Sequence, residues 1–160
     1  MNKHVHESYT EQVQILTPSS MNGYNRLFGG KLLEWIDVVA AVVARRHSNC
    51  NVTTAAIDQL TFEGAAYLND TLVLKGRITF AGSSSMEVRV DTYVEQLSGE
   101  QRLINQAYMV MVALDGMERP TKVPGLTLTD DAERREWAAA KERYEQRKAR
   151  RRSAIPPPEQ

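Results

Sequence analysis

Cysteine, net charge and long hydrophobic runs are all scarce in this chain, and each shortage removes a class of protein. With a single cysteine, Cys50, in 160 residues, no internal disulfide can form, and the chain does not read as a disulfide-framed secreted domain. Basic and acidic residues number 20 each, so the overall basic excess of a dedicated nucleic-acid binder is missing. The longest apolar stretch, residues 35–44, carries Asp37 and is far shorter than the roughly 20 residues needed to cross a bilayer. Residues 1–7 are polar and lack the apolar segment of a secretory signal. Histidine is also rare: His4 and His6 lie in residues 1–8, read as a disordered, frayed terminus and not as a metal site, and His47 stands apart. No internal repeat is visible. The composition, 42% hydrophobic and 25% charged, is that of one soluble globular domain, with the cytoplasm as its expected compartment.

Periodicity then divides the chain. Residues 10–17 alternate roughly and read as a strand, followed by a turn-rich loop through Pro18, Asn22, Gly23 and Asn25. From Gly29 or Gly30 to about Ser48, the apolar residues Leu32, Leu33, Ile36, Val39, Ala40 and Val43 recur at helical spacing. Val38, Ala41 and Val42 fill much of the other side, so this helix is apolar nearly all round and must be buried. Residues 52–62, 71–80, 86–94 and 103–114 read as strands, with Gly82-Ser83-Ser84 and Ser98-Gly99 as turns. A helix that is apolar on every side needs a curved antiparallel sheet wrapped around it, which gives an α+β class; the uncovered sheet edge and helix flank imply self-association. Thr129 or Asp130 caps a further helix, acidic early and basic late, as the helix dipole prefers. The expected organisation is a terminus over 1–8, a domain over 9–126, a basic helix over 127–153 and a proline-rich tail over 154–160.

Chemistry concentrates at the start of the first helix. Gly29 and Gly30 allow a ligand to come close to free backbone N–H groups at the positive end of the helix dipole. Such donors suit a carbonyl whose oxygen gains negative charge during attack, although the glycines also allow tight loop packing. Asp37 lies two turns further on among Ile36, Val38, Val39 and Ala40. Burial there would raise its pKa and fit it to act as a base or nucleophile; a structural carboxylate held by backbone or arginine is the alternative. Glu34 is read as solvated. Ser83, Ser84 and Ser85 form a polar hairpin, the run 147–152 forms a solvated helix end or an anion site, and Cys50 is a packing residue without a base. Trp35, Phe80, Tyr108 and Trp137 are read as core or interface aromatics.

Taken in order, Asn22, Phe28-Gly29-Gly30, Trp35-Ile36-Asp37, Asp58 with Phe62, Asp70, Gly82-Ser84-Ser85-Met86-Glu87-Val88, Ala113-Leu114-Asp115 and Val123-Pro124 resemble the bacterial acyl-CoA thioesterases with one hotdog domain. Those are relatives of the tandem-domain cytosolic acyl-CoA hydrolases. The resemblance covers residues 9–126 and implies the hotdog fold, acyl-CoA as substrate, no metal and no cofactor beyond the CoA of the substrate. It implies a site shared across a dimer, or a trimer of dimers. Asp37 would be base or nucleophile, Asn22 of the facing protomer would position water or substrate, and the Gly30 N–H would form the oxyanion hole. Phe28, Gly29, Gly82, Ser84, Ser85 and Met86 would contact substrate or CoA, and the basic helix could reach the CoA phosphates. Asn25 and Asn69 stand where glycine is usual, and asparagine best tolerates the left-handed conformation needed there. A usual proline after Phe62 is absent, with Ala65 in its place. Two other readings follow from the same fold: a module that binds acyl-CoA without hydrolysing it, and a dehydratase, whose histidine would be expected where this chain has none.

Overall fold

A computed structural model describes residues 1–154. The proline-rich tail beyond residue 154 lies outside the described residues. Strands β1 (Asn2–His4), β2 (Thr10–Ile15), β3 (Asn51–Phe62), β4 (Thr71–Ala81), β5 (Ser85–Glu95), β6 (Gln101–Leu114) and β7 (Gly125–Thr127) are joined with helices α1 (Gly29–Ser48) and α2 (Asp131–Ala154). Five strands form one antiparallel sheet in the order β2-β4-β5-β6-β3. The segment after β3 therefore crosses the sheet, from the β3 edge to β4 next to the other edge strand, β2. That crossover leaves β3 as an edge strand, and edges invite pairing with a second chain.

Alternation in β4, β5 and β6 decides which side chains meet α1. Leu72, Leu74, Ile78, Met86, Val88, Val90, Ala107, Met109 and Met111 point inward and bury with Leu32, Ile36, Val39, Ala40 and Val43. Gly76 is required where helix and sheet come closest, because a Cβ there would meet Val39 Cγ1 at 2.6 Å. All five strands touch α1, so the sheet curls about it. On the other side of the sheet, α2 packs against β4. Phe80 is held there between Trp137 and Tyr144, with ring centroids 5.5 and 5.0 Å away. Asp130 caps α2 by accepting the Glu133 N–H at 2.8 Å, and Glu133 in turn accepts the Thr129 N–H.

Two asparagines adopt the backbone expected of them: Asn25 and Asn69 have φ of 57° and 71°. The first eight residues do not fray. Strand β1 pairs in parallel with β7, and Lys3 donates to the Arg46 carbonyl and the Asn49 side chain at the C-terminal end of α1, where a cation suits the dipole. A polar sequence hides this order, because backbone pairing and one lysine provide it.

His47 closes the same region. It is fully buried, with Nε2 2.7 Å from the Pro124 carbonyl and no partner for Nδ1 among the described residues. Burial pushes its pKa below the usual 6.5, outweighing the Pro124 carbonyl that favours the proton; Lys3 disfavours and Glu7 favours the charged form. The folded state thus holds the neutral ring, and its stability contribution is present above pH 6.5 and lost as pH falls below that value. Melting temperature should fall from pH 6.5 to pH 5 more steeply in the wild type than in His47→Gln. Equal slopes would rule this out.

Candidate active site

The mouth of α1 is built by the preceding loop. Asn22 accepts the Tyr24 and Arg26 N–H groups on Oδ1, at 2.9 and 3.2 Å, and its backbone N–H donates to the Arg26 carbonyl. Its side-chain carbonyl is therefore used locally, while the NH2 group has no partner among the described residues. Phe28 precedes the helix in extended conformation, with no side chain capping the first turn. Lys31 and Leu32 donate to the Phe28 carbonyl, whereas the N–H groups of Gly29 and Gly30 have no acceptor among the described residues. A Cβ on Gly30 would meet the exposed Phe28 ring at 2.7 Å, so a side chain there would have to push that ring aside. The outcome is a bare helix N-terminus, able to hold a carbonyl oxygen that becomes anionic.

Asp37 is half-buried, not enclosed in the core. It lies on the flank of α1 beside β3, where Thr54 donates its hydroxyl to Oδ1 at 2.6 Å. No arginine pairs with it among the described residues. Sequence reading passed over Thr54, which looks like one of several threonines in an ordinary strand. Seven residues separate Gly30 from Asp37, or about 10 Å along the helix axis at 1.5 Å per residue. One carbonyl cannot be held by the Gly30 N–H and attacked from Asp37 of the same helix. Val38 beside Asp37 and Ile57 on β3 are exposed among exposed polar residues such as Thr53 and Gln59, and Leu60 and Phe62, also exposed, lie further along β3 toward the start of α1. A free strand edge with such side chains along it is what a second protomer would cover.

The serine turn forms a separate feature. Gly82 donates to the Ser85 carbonyl at 2.8 Å, and a Cβ on Gly82 would crowd Tyr144. Ser83, Ser84 and Ser85 share a cleft of about 240 Å³ with Tyr144, Arg147, Lys148 and Arg151 of α2. Ser85 pairs across β5–β6 with Val112, which pairs with Thr53 beside Thr54, so the turn is two strand spacings, about 10 Å, from β3. Met86 is not part of this cleft. Its side chain points inward and is fully buried, because strand alternation turns it away from its serine neighbour. Glu34 is exposed and pairs only with Lys31, and among the described residues no group of three or more His, Cys, Asp or Glu could hold a metal ion.

The outer sheet face carries a charge network that the sequence did not signal. Arg77 and Arg89 bond Asp91 and Glu136, and Arg143 bonds the buried Glu87, which also accepts the Thr79 hydroxyl. Arg147 reaches Asp58 on β3 at 2.8 Å, so Asp58 serves here as an anchor for α2. Burial pushes the Glu136 carboxyl up, but Arg77 and Arg89 more than reverse this and hold it below the usual range. Tyr108 stacks under the Arg143 guanidinium at 4.0 Å. Cys50 packs against the core, and its thiol donates to the Ser48 carbonyl.

Residues 24–99 match the thioesterase superfamily. The uncharacterized acyl-CoA thioester hydrolase YkhA of Bacillus subtilis is 34% identical over 91% of this chain and 86% of its own length. Human cytosolic acyl coenzyme A thioester hydrolase is 29% identical over 94% of this chain, which spans only 40% of that longer protein. The acyl-CoA hydrolase of Staphylococcus aureus, solved with butyryl-CoA, CoA and CoA disulfide, has a TM-score of 0.90 at 33% identity, covering 96% of this chain and 94% of that one. Further structures of that hydrolase carry alanine for an asparagine, an aspartate or a threonine, spaced along its chain as Asn22, Asp37 and Thr54 are here. A hexameric acyl-CoA thioesterase has a TM-score of 0.88 at 36% identity over 97% of this chain and 99% of its own. This chain belongs to the hotdog-fold acyl-CoA thioester hydrolases of the thioesterase superfamily.

Proposed function

We propose that the chain hydrolyses acyl-CoA thioesters to free CoA and a carboxylic acid at a site completed by two protomers. One protomer contributes the mouth of α1, with the Gly30 N–H holding the thioester oxygen and the Asn22 NH2 group holding water or substrate. The facing protomer contributes Asp37, oriented by Thr54. Asp37 takes a proton from water as the water oxygen bonds to the carbonyl carbon. The oxygen charge that develops is held by the amide donors. Collapse of the tetrahedral intermediate breaks the C–S bond, and the departing CoA thiolate takes up the proton that Asp37 holds, which restores the carboxylate. No step draws on a metal or a redox cofactor.

The observation that carries this reading is Asp37 itself: tied to the Thr54 hydroxyl, unpaired with arginine among the described residues, and set beside an open strand edge. A dimer is then the minimum active unit. Three such dimers would make a hexamer, the state in which one relative was solved. The assay is release of free thiol from acyl-CoA by purified protein, run beside a binding titration. Tight binding without thiol release would favour the binding module instead.

The CoA head belongs, in this reading, in the cleft between the serine turn and the end of α2. Lys148 and Arg151 are exposed there, Tyr144 offers a ring, and hydroxyls and cations together suit phosphate. Reversing both charges, Lys148→Glu with Arg151→Glu, should raise KM for acyl-CoA on the order of tenfold at low salt and leave kcat nearly unchanged. An unchanged KM would place the phosphates elsewhere.

A further inference from the structure

Strands β5 and β6 carry one polar pair on the face that α1 covers. Thr92 and Asn105 are direct cross-strand partners, and Leu74 on β4 and Phe62 on β3 flank them in the same row. Both are 0% exposed. Thr92 Oγ1, Asn105 Oδ1 and Asn105 Nδ2 have no hydrogen-bond partner among the described residues. Cross-strand partners point to the same face of a sheet, so hydroxyl and amide stand side by side. The ladder then steps from Thr92–Asn105 to Tyr93–Leu103, which makes Ile104 the extra residue of a bulge. Ile104 joins the apolar core too, so two successive residues of β6 bury at this point.

We infer that Thr92 and Asn105 bind an internal water that bridges hydroxyl and amide beneath α1. A hydroxyl brings one donor and two acceptor sites, and an amide two donors and two acceptor sites. Burying that capacity is costly unless it is used. In the two adjoining rows the inner side chains, Leu72, Val94, Val90 and Ala107, are apolar and offer no bond. They offer no charge either, so an ion held here would be uncompensated and the ligand must be neutral. Water both donates and accepts, and a buried site with two or more polar partners is what retains it. Ala107, on the same face two residues beyond Asn105, carries only a methyl group, which makes that side of the amide the least crowded along β6. Neither Asp37 nor the Gly30 N–H takes part, so the inference stands apart from the hydrolase reading.

The test is a high-resolution crystal structure of the intact oligomer, with urea titrations of two variants at one protein concentration. Density for a water should lie about 2.7–3.2 Å from both the Thr92 hydroxyl and the Asn105 amide. Thr92→Val, which keeps the size and shape of the side chain, and Asn105→Leu should each lower the urea midpoint by about 0.5 M, the net worth of a hydrogen bond over a typical urea slope. The double variant should lose less than the sum of the two, because the first deletion already removes one side of the bridge. Density missing from the pair, or a hydroxyl bonded directly to the amide, would overturn the bridge. So would a midpoint that rises in Thr92→Val, since deleting a dry, unpaired hydroxyl stabilises. Should Asn105→Leu not fold, Thr92→Val alone decides the sign.

Discussion

Replacing Asp37 with asparagine lowers kcat for acyl-CoA hydrolysis about a hundredfold to ten-thousandfold, the range that a positioned general base supplies. Asparagine keeps the size of the side chain and still accepts the Thr54 hydroxyl on its oxygen, so the local geometry survives. What it cannot do is take a proton from water. KM should change little, because in the proposed site Asp37 meets the attacking water and not the CoA head. Oligomer mass and melting temperature should match the wild type. Turnover within threefold of wild type would remove Asp37 from the chemistry. Thr54→Ala should fall between the two, because it loosens the carboxylate without deleting it.

The second large effect is on stability. Arg143→Met should destabilise the fold by about 3 kcal/mol, toward the low end of the cost of breaking one partner of a buried ion pair. Glu87 is 1% exposed, and Arg143 donates to both of its carboxylate oxygens at 2.8 and 3.0 Å. Without that cation the carboxylate retains only the Thr79 hydroxyl and Arg147, whose nearest approach is 3.9 Å. Glu87 raises the Arg143 pKa, as expected for a close pair. Adding Glu87→Gln should recover most of the loss, since a neutral amide can keep a bond to Thr79 and leaves no unpaired charge. Urea titrations at one protein concentration would measure both variants, concentration being fixed because subunits stabilise one another. A single variant within 0.5 kcal/mol of wild type, or a double variant no better than the single, would show that α2 docks by its aromatics alone.

The contrast between the two helices explains how much could be read without coordinates. The spacing of Leu32, Ile36, Val39, Ala40 and Val43 places α1 to within a residue at its ends, because burial writes itself as apolar period. Helix α2 follows the same spacing around buried Ala140, but its inner face mixes half-buried Glu136, Arg143 and Arg147 with Trp137 and Tyr144. Hydropathy therefore registers only a solvated helix. The caps fixed where it starts, and nothing in the order of residues revealed which strand it covers. Ordering of residues 1–8 was missed for a similar reason, since backbone pairing with β7 leaves no side-chain signature.

At the candidate site, Asp37 stands out in the sequence because a carboxylate in an apolar helix is costly without a partner, and the structure gives it the Thr54 hydroxyl. Gly29-Gly30 was legible as a bare helix start, although the Phe28 ring gives Gly30 a packing reason as well. Thr54 was not, because its meaning comes from lying across from Asp37, which only the register of β3 on β6 brings about. Met86 was placed with the serines through its neighbours in the chain, and strand alternation sends it to the other face.

Subunit complementation tests the shared site most directly. Asn22→Ala and Asp37→Asn protomers, each inactive alone, are mixed under conditions that let subunits exchange. In a two-fold dimer with each site drawn from both chains, a mixed pair carries one intact site, so a one-to-one mixture should regain about a quarter of wild-type turnover. Exchange that is complete by mass spectrometry and yet restores no thiol release would mean that Asn22 and Asp37 serve within a single chain, contrary to the geometry of α1.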